Sequence, residues 1–191
     1  LNWLTSPVWW KNYCHDDTSI ASRFTASAQA ARTAEVSVAI ENVHTAMFNA
    51  GYGDAEYDII VQTYSSPVPR GSQLRYAESG YTRQAIGGCG FWNRDADWAN
   101  DTAVVAMNNS LRNGAAQAQA RAGFANVVVI EMANALAGRR ICEKGVGLLE
   151  EVGVANWTSP GASDLTEWVS QVRTVTTLVG PYQLQEGLHP S

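Results

Sequence analysis

The sequence predicts an α/β protein on three observations: a long stretch with helical apolar spacing, two short β-branched stretches with strand character, and a second helical stretch between those two. From about residue 18 to residue 50, Ile20, Phe24, Ala28, Ala31, Val36, Ile40, Val43 and Met47 recur every three or four positions, and Gly51 and Gly53 stop the run. This predicts one long amphipathic helix entered through Asp16-Asp17-Thr18, whose short polar side chains suit a helix N-terminus. Residues 57–64 are β-branched and aromatic, follow a Gly-rich turn and end before Pro67 and Pro69, so they read as a buried strand. Asp101-Thr102 predicts the start of a second helix carrying Val104, Val105, Met107 and Leu111 and reaching about Arg121, with Gly114 weakening its middle. The continuous apolar run at residues 126–132 predicts a parallel strand covered on both faces. Ser163-Asp164-Leu165-Thr166-Glu167 resembles a capping sequence opening a last helix through about Val172.

Helix, strand, helix, strand in that order requires crossover connections. Two strands do not make a stable parallel sheet, since their edges expose unpaired backbone groups. Further strands are therefore expected either within the loop segments or in sequence upstream of Leu1. The opening Leu1-Asn2-Trp3-Leu4, without an initiating Met, reads as a processed or partial product.

A chain of 191 residues and 20.6 kDa predicts a single domain over 1–191. With 46% hydrophobic and 16% charged residues it is too apolar to be disordered. A net charge of −5, with the 13 Lys and Arg residues scattered, offers no basic stripe for nucleic acid. The longest strongly apolar runs, such as Val127-Val128-Val129-Ile130, are far short of the roughly 18 residues of a membrane span. The three cysteines contain no CxxC and the three histidines are far apart, so no zinc site, and no cofactor, is expected. Residues 65–100 hold Pro67, Pro69 and five glycines, and so long a connection is expected to lie near a functional site.

Chemistry enters at the C-terminal end. Glu186 precedes His189 by three residues, a spacing from which a carboxylate can accept the imidazole Nδ1–H and leave Nε2 to take a proton from a hydroxyl. The string Gln185-Glu186-Gly187-Leu188-His189-Pro190 resembles the last block of the SGNH (GDSL-like) serine ester hydrolases, an Asp-x-x-His-Pro, with Glu in the Asp position. Gln62-Thr63-Tyr64-Ser65-Ser66-Pro67-Val68-Pro69, Gly87-Gly88-Cys89-Gly90-Phe91-Trp92-Asn93 and Gly138-Arg139-Arg140-Ile141-Cys142-Glu143 are also similar to segments of secreted bacterial members. The resemblance implies a flavodoxin-like three-layer α/β/α SGNH-hydrolase fold, secretion, and a carboxylic ester hydrolase with His189 as base and Glu186 as its orienting acid. It implies a small-molecule or lipid ester substrate. The family's Gly-Asp-Ser nucleophile block and its two oxyanion blocks do not occur in this chain. An upstream segment or a second chain is expected to supply them and to complete the sheet. The loop settings of Cys89 and Cys142, together with the resemblance, imply a disulfide between them, leaving Cys14 over.

Other residues read more plainly. Cys89, flanked by glycines, is a nucleophile candidate set against its reading as a half-cystine. Ser72 and Ser79 lack the strand-turn-helix setting of a nucleophile elbow. His44 reads as a helix-surface or partly satisfied side chain rather than a ligand, His15 beside Asp16 and Asp17 as a loop contact, and most of the seven tryptophans as core or loop anchors. The competing class is a non-catalytic secreted binding domain that keeps the scaffold after losing the nucleophile block.

Overall fold

The computed structural model describes residues 13–79, 83, 91–122 and 126–169. In chain order these form α1 (Thr18–Ala21), α2 (Ala26–Asn49), β1 (Ile59–Gln62), α3 (Asn93–Trp98), α4 (Val104–Ala122), β2 (Val127–Ile130), α5 (Leu149–Val152) and α6 (Ala162–Leu165). Short 3₁₀ turns lie at Cys14–Asp16, Ser22–Phe24 and Gly71–Gln73, and a π-turn at Ala99–Ala103. The molecule is mixed α/β, and its residues group into two compact units. One comprises 18–65 with 102–135; the other comprises 1–17, 66–101 and 136–191.

In the first unit the long helix starts later than its apolar spacing predicts. Thr25, not Asp17, is the N-cap, accepting from the Ala28 N–H at 3.3 Å and donating to the Ser22 carbonyl at 3.2 Å. The hydroxyl thus competes locally with helix continuation, and the expected first turns are divided into α1 and a 3₁₀ turn. The buried face of α2 keeps part of the apolar stripe and adds small hydroxyls: Ile40 is buried and Val36 half-buried, Thr33 and Ser37 are buried as well, and Ala31 and Val43 are exposed. The reason lies opposite, at Gly114 of α4. A Cβ at Gly114 would stand 2.6 Å from the Val36 Cβ and 2.9 Å from the Thr33 carbonyl oxygen. Glycine lets the two helix backbones approach, with Val36 and the Thr33 carbonyl packed against it. Gly114, a poor helix former, is thus also what allows α2 to dock. Gly114→Val is expected to lower stability by about 1–3 kcal/mol through overpacking, read as a fall in the urea midpoint.

Strands β1 and β2 pair in parallel with Ile59 opposite Val127 and Gln62 opposite Ile130, and α4 forms the crossover between them. Ile59, Val61, Val127 and Val129 pack with Ile40, Ala115 and Ala118. The other face is bare: Ile60 is 62%, Val128 47% and Ile130 41% exposed. The expectation of a strand covered on both faces is therefore corrected. Both strands alternate between half-buried and exposed positions because helices cover one face only.

The second unit is built from connections rather than long elements. Val68, Leu74, Ala96, Ile141, Cys142 and Val169 form its buried core. The Ile141 N–H donates to the Pro67 carbonyl at 3.1 Å and the Arg75 N–H to the Cys142 carbonyl at 2.8 Å. Buried carboxylates serve as backbone acceptors, among them Glu143 for the Arg140 N–H at 3.0 Å and Glu167 for the Cys142 N–H at 2.9 Å. Buried charges need such partners, and Glu167 gains another in Arg75 at 3.4 Å.

Two expected helix starts fail here. Asp101 sits inside the π-turn and pairs with Arg70 at 2.6 Å. The Asn100 amide donates to the Ala96 carbonyl at 2.8 Å and to the Val68 carbonyl at 3.1 Å, drawing a side chain into the backbone ladder where the helix widens. Ser163–Glu167 does not open a helix either, because α6 ends at Thr166, whose hydroxyl donates back to the Ala162 carbonyl at 2.6 Å. Val172 lies outside the described residues.

Cys14 is a free thiol. Cys142 is buried and disulfide-bonded, with φ of 52°. Cys89, its expected partner, lies outside the described residues. A non-reduced digest is expected to yield one cross-linked peptide containing Cys89 and Cys142; a Cys14-containing cross-link would refute the pairing. Among the described residues no helix is long and apolar enough to cross a membrane.

Candidate functional site

Glu186 and His189, the expected acid and base, lie outside the described residues, as do Trp3, Trp9 and Trp10. What the structure places is the scaffold on which a site would sit. In an open parallel sheet that location is the carboxyl edge of the strands, where side chains from successive loops converge. Here that edge is formed by Thr63-Tyr64 after β1 and Glu131-Met132 after β2.

Thr63 is 1% exposed and fastens the two strand ends together. Its hydroxyl accepts from the Met132 N–H at 2.7 Å and lies 3.3 Å from both the Ile130 carbonyl and the Glu131 Oε2. One hydroxyl proton serves only one of those two acceptors at a time. Glu131 meanwhile receives both forks of Arg112, at 2.6 and 2.7 Å, and that guanidinium holds its carboxyl below the ordinary carboxylate range. Asn108, projecting from α4, clamps the next residue: its Oδ1 accepts from the Tyr64 N–H at 2.7 Å and its Nδ2 donates to the Tyr64 carbonyl at 2.9 Å. Both backbone groups of the residue leaving the strand are thereby satisfied by one buried amide.

The clamp fixes Tyr64 against a cleft of about 340 Å³ between the first halves of α2 and α4. Phe24, Val36, Met107 and Leu111 give it apolar walls, and Arg23 and Arg32 bring positive charge. None of these residues carries a motif. Asn108 and Thr63 have no sequence signature beyond position, one on a helix that follows a strand and one at that strand's end.

At the opposite edge His44 is a half-buried, partly satisfied side chain. Its Nδ1 lies 2.9 Å from the Tyr57 hydroxyl and its Nε2 3.5 Å from Asp54, while Asn126 donates to the Asp54 and Tyr57 carbonyls. The cluster ties the end of α2 to the start of β1 and lies far along the strands from the carboxyl edge.

In the second unit, His15 contacts Asp16 at 2.9 Å, as its sequence neighbours suggest, and Arg94 stands over the Tyr13 ring at 5.0 Å. The backbone N–H of Cys14 donates to buried Asp95 at 2.7 Å. Burial, reinforced by the Asp95 charge, pushes the Cys14 thiol from 9.0 up to about 11, so it is no ready nucleophile. An unfolded chain loses this proton near 9.0 while the folded one keeps it, so stability is expected to fall as pH rises from 9 to 11. At pH 8 folded Cys14 should react with a disulfide reagent far more slowly than in urea. Ser72 and Ser79 are exposed, with Ser72 on a 3₁₀ turn rather than an elbow. Trp92 belongs to the core, whereas Trp157 and Trp168 are exposed, Trp168 donating to the Ser163 carbonyl at 2.9 Å. Among the described residues no group of three or more His, Cys, Asp or Glu side chains is arranged to hold a metal.

Compared with known proteins, the chain matches no family model, no curated protein and no solved structure.

Proposed function

We propose that this chain carries the base and orienting acid of a secreted carboxylic ester hydrolase of the SGNH type, on a three-layer α/β/α scaffold, with no cofactor. The observation that carries the reading is the β1–α4–β2 parallel crossover with one face under α2 and α4 and the other bare and apolar at Ile60, Val128 and Ile130. A three-layer fold needs a sheet with two faces fit for helices, and this sheet has them. The block Gln185-Glu186-Gly187-Leu188-His189-Pro190 supplies the chemistry.

In this mechanism Glu186 accepts the His189 Nδ1–H, and Nε2 removes the proton of a serine hydroxyl carried outside residues 1–191. The alkoxide attacks the ester carbonyl, and the imidazolium returns its proton to the departing alcohol. Water then adds to the acyl-enzyme with His189 again as base, releasing the acid. Residues 1–191 alone are expected to show no hydrolysis of a short-chain aryl ester above a buffer blank and no labelling by a fluorophosphonate. A longer form carrying a Gly-Asp-Ser-type block is expected to show both. If the longer form is inert to both, the chain is a non-catalytic binding domain instead. Labelling of residues 1–191 alone would move the nucleophile into this chain and overturn the assignment.

A further inference from the structure

The cleft beside Tyr64 has a composition that selects a ligand. Its walls are the side chains of Phe24, Val36, Met107 and Leu111, and its volume is about 340 Å³. At about 30 Å³ for each methylene-sized group, that is room for roughly ten heavy atoms, near the lower limit of small-molecule sites. Two polar side chains of the lining are engaged with backbone: the Ser110 hydroxyl donates to the Ala106 carbonyl at 3.1 Å and the Gln29 amide to the Phe24 carbonyl at 3.0 Å. The apolar walls reward burial of an alkyl chain.

The charge that the described residues bring to the cleft is positive. Arg23 and Arg32 line it, and among the described residues no acidic side chain does. The Arg23 Nε donates to the Ser19 carbonyl at 3.3 Å, which anchors the side chain while its two Nη groups have no partner among the described residues. Arg32 pairs with Glu35 at 2.6 Å, but both members are more than half exposed, and such a surface pair is exchanged at little cost. Guanidinium forks matched to a planar anion beside an apolar slot of this size fit a carboxylate carried on an aliphatic chain.

We infer that the cleft between α2 and α4 binds a medium-chain aliphatic carboxylate, the chain lying between Phe24, Val36, Met107 and Leu111 and the carboxylate meeting Arg23. The site needs no serine, and its test involves no turnover, so its outcome is separate from that of the hydrolase reading.

The test is calorimetric titration of the 191-residue chain with decanoate, decanol and decyltrimethylammonium, each below its micellar concentration. Decanoate is expected to bind at one site, decanol more weakly, and the cation not at all. Arg23→Glu is expected to weaken decanoate about tenfold, the scale of one lost charge-assisted contact, while leaving decanol unchanged. Met107 is partly exposed, so Met107→Glu tests the wall without disturbing the core and should abolish binding of both decanoate and decanol. Arg94→Glu, outside the cleft, should change nothing. Circular dichroism of each variant establishes that it is folded. Equal binding of decanoate and decanol, insensitivity to Arg23→Glu and Met107→Glu in folded variants, or no decanoate binding at all would each overturn the site.

Discussion

His189→Ala is expected to lower kcat by about 10⁴ to 10⁶ in a form of the protein that also carries the nucleophile block. In the proposed mechanism the imidazole makes two proton transfers in each half-reaction, and neither histidine among the described residues is free to substitute. His44 is held at the amino edge of the sheet by Tyr57 and Asp54, and His15 sits against Asp16. Glu186→Ala should cost less, because an imidazole without its orienting carboxylate still acts as a base, though in the wrong tautomer for part of the time. Glu186→Asp, which restores the residue type usual at this place in the family, should recover much of the loss. The check is steady-state hydrolysis of a short-chain aryl ester with fluorophosphonate labelling in parallel. Full activity of His189→Ala would remove His189 from the reaction. Equal losses at His189 and Glu186 would instead mean that the carboxylate does more than orient.

Asn108→Ala is expected to destabilise the protein by about 1–3 kcal/mol, since it removes the partner of both the N–H and the carbonyl of Tyr64 and leaves a cavity where a buried amide stood. Asn108 is 2% exposed and makes both bonds at ordinary lengths, 2.7 and 2.9 Å. Asn108→Leu separates volume from polarity. It fills the same space without a donor or acceptor, so it should fall as far as the alanine variant, whereas a leucine variant as stable as the parent would show that the clamp matters only as packing. Urea unfolding followed by far-ultraviolet circular dichroism and by tryptophan fluorescence supplies the comparison. Because Tyr64 lines the cleft, both variants should also weaken decanoate.

The class of the fold was legible because periodicity was strong where it mattered. Residues 57–64 and 126–132 both contain strands, and the helical spacing between them correctly implied a parallel crossover. Boundaries were less legible, for local reasons: Thr25 rather than Asp17 captures the helix N-terminus, and Asn100 turns an expected start at Asp101 into the interior of a π-turn. The buried face of α2 could be read from hydropathy only in part, because Ile40 belongs to the apolar stripe whereas buried Thr33 and Ser37 carry no apolar signal. The carboxyl-edge residues were missed for a related reason. Asn108 and Thr63 act by bonding backbone, and any sequence holds many Asn and Thr residues that do not. Glu186 and His189 were visible as a spaced pair, but a spacing places two groups in reach of one another only when the backbone between them turns suitably.

The docking of α2 on α4 through Thr33, Ser37, Gly114, Ala115 and Ala118 has a thermal consequence. Burial of large apolar side chains carries a large heat-capacity change, which bends the stability curve and drains hydrophobic stabilisation on cooling. A seam in which glycine, alanine and small hydroxyl side chains surround Val36 and Ile40 removes less apolar surface from water than a leucine-rich one and relies more on close backbone approach. Its contribution should stay nearly level with temperature, so the helix pair should hold in the cold, where a leucine-rich seam of equal length would loosen.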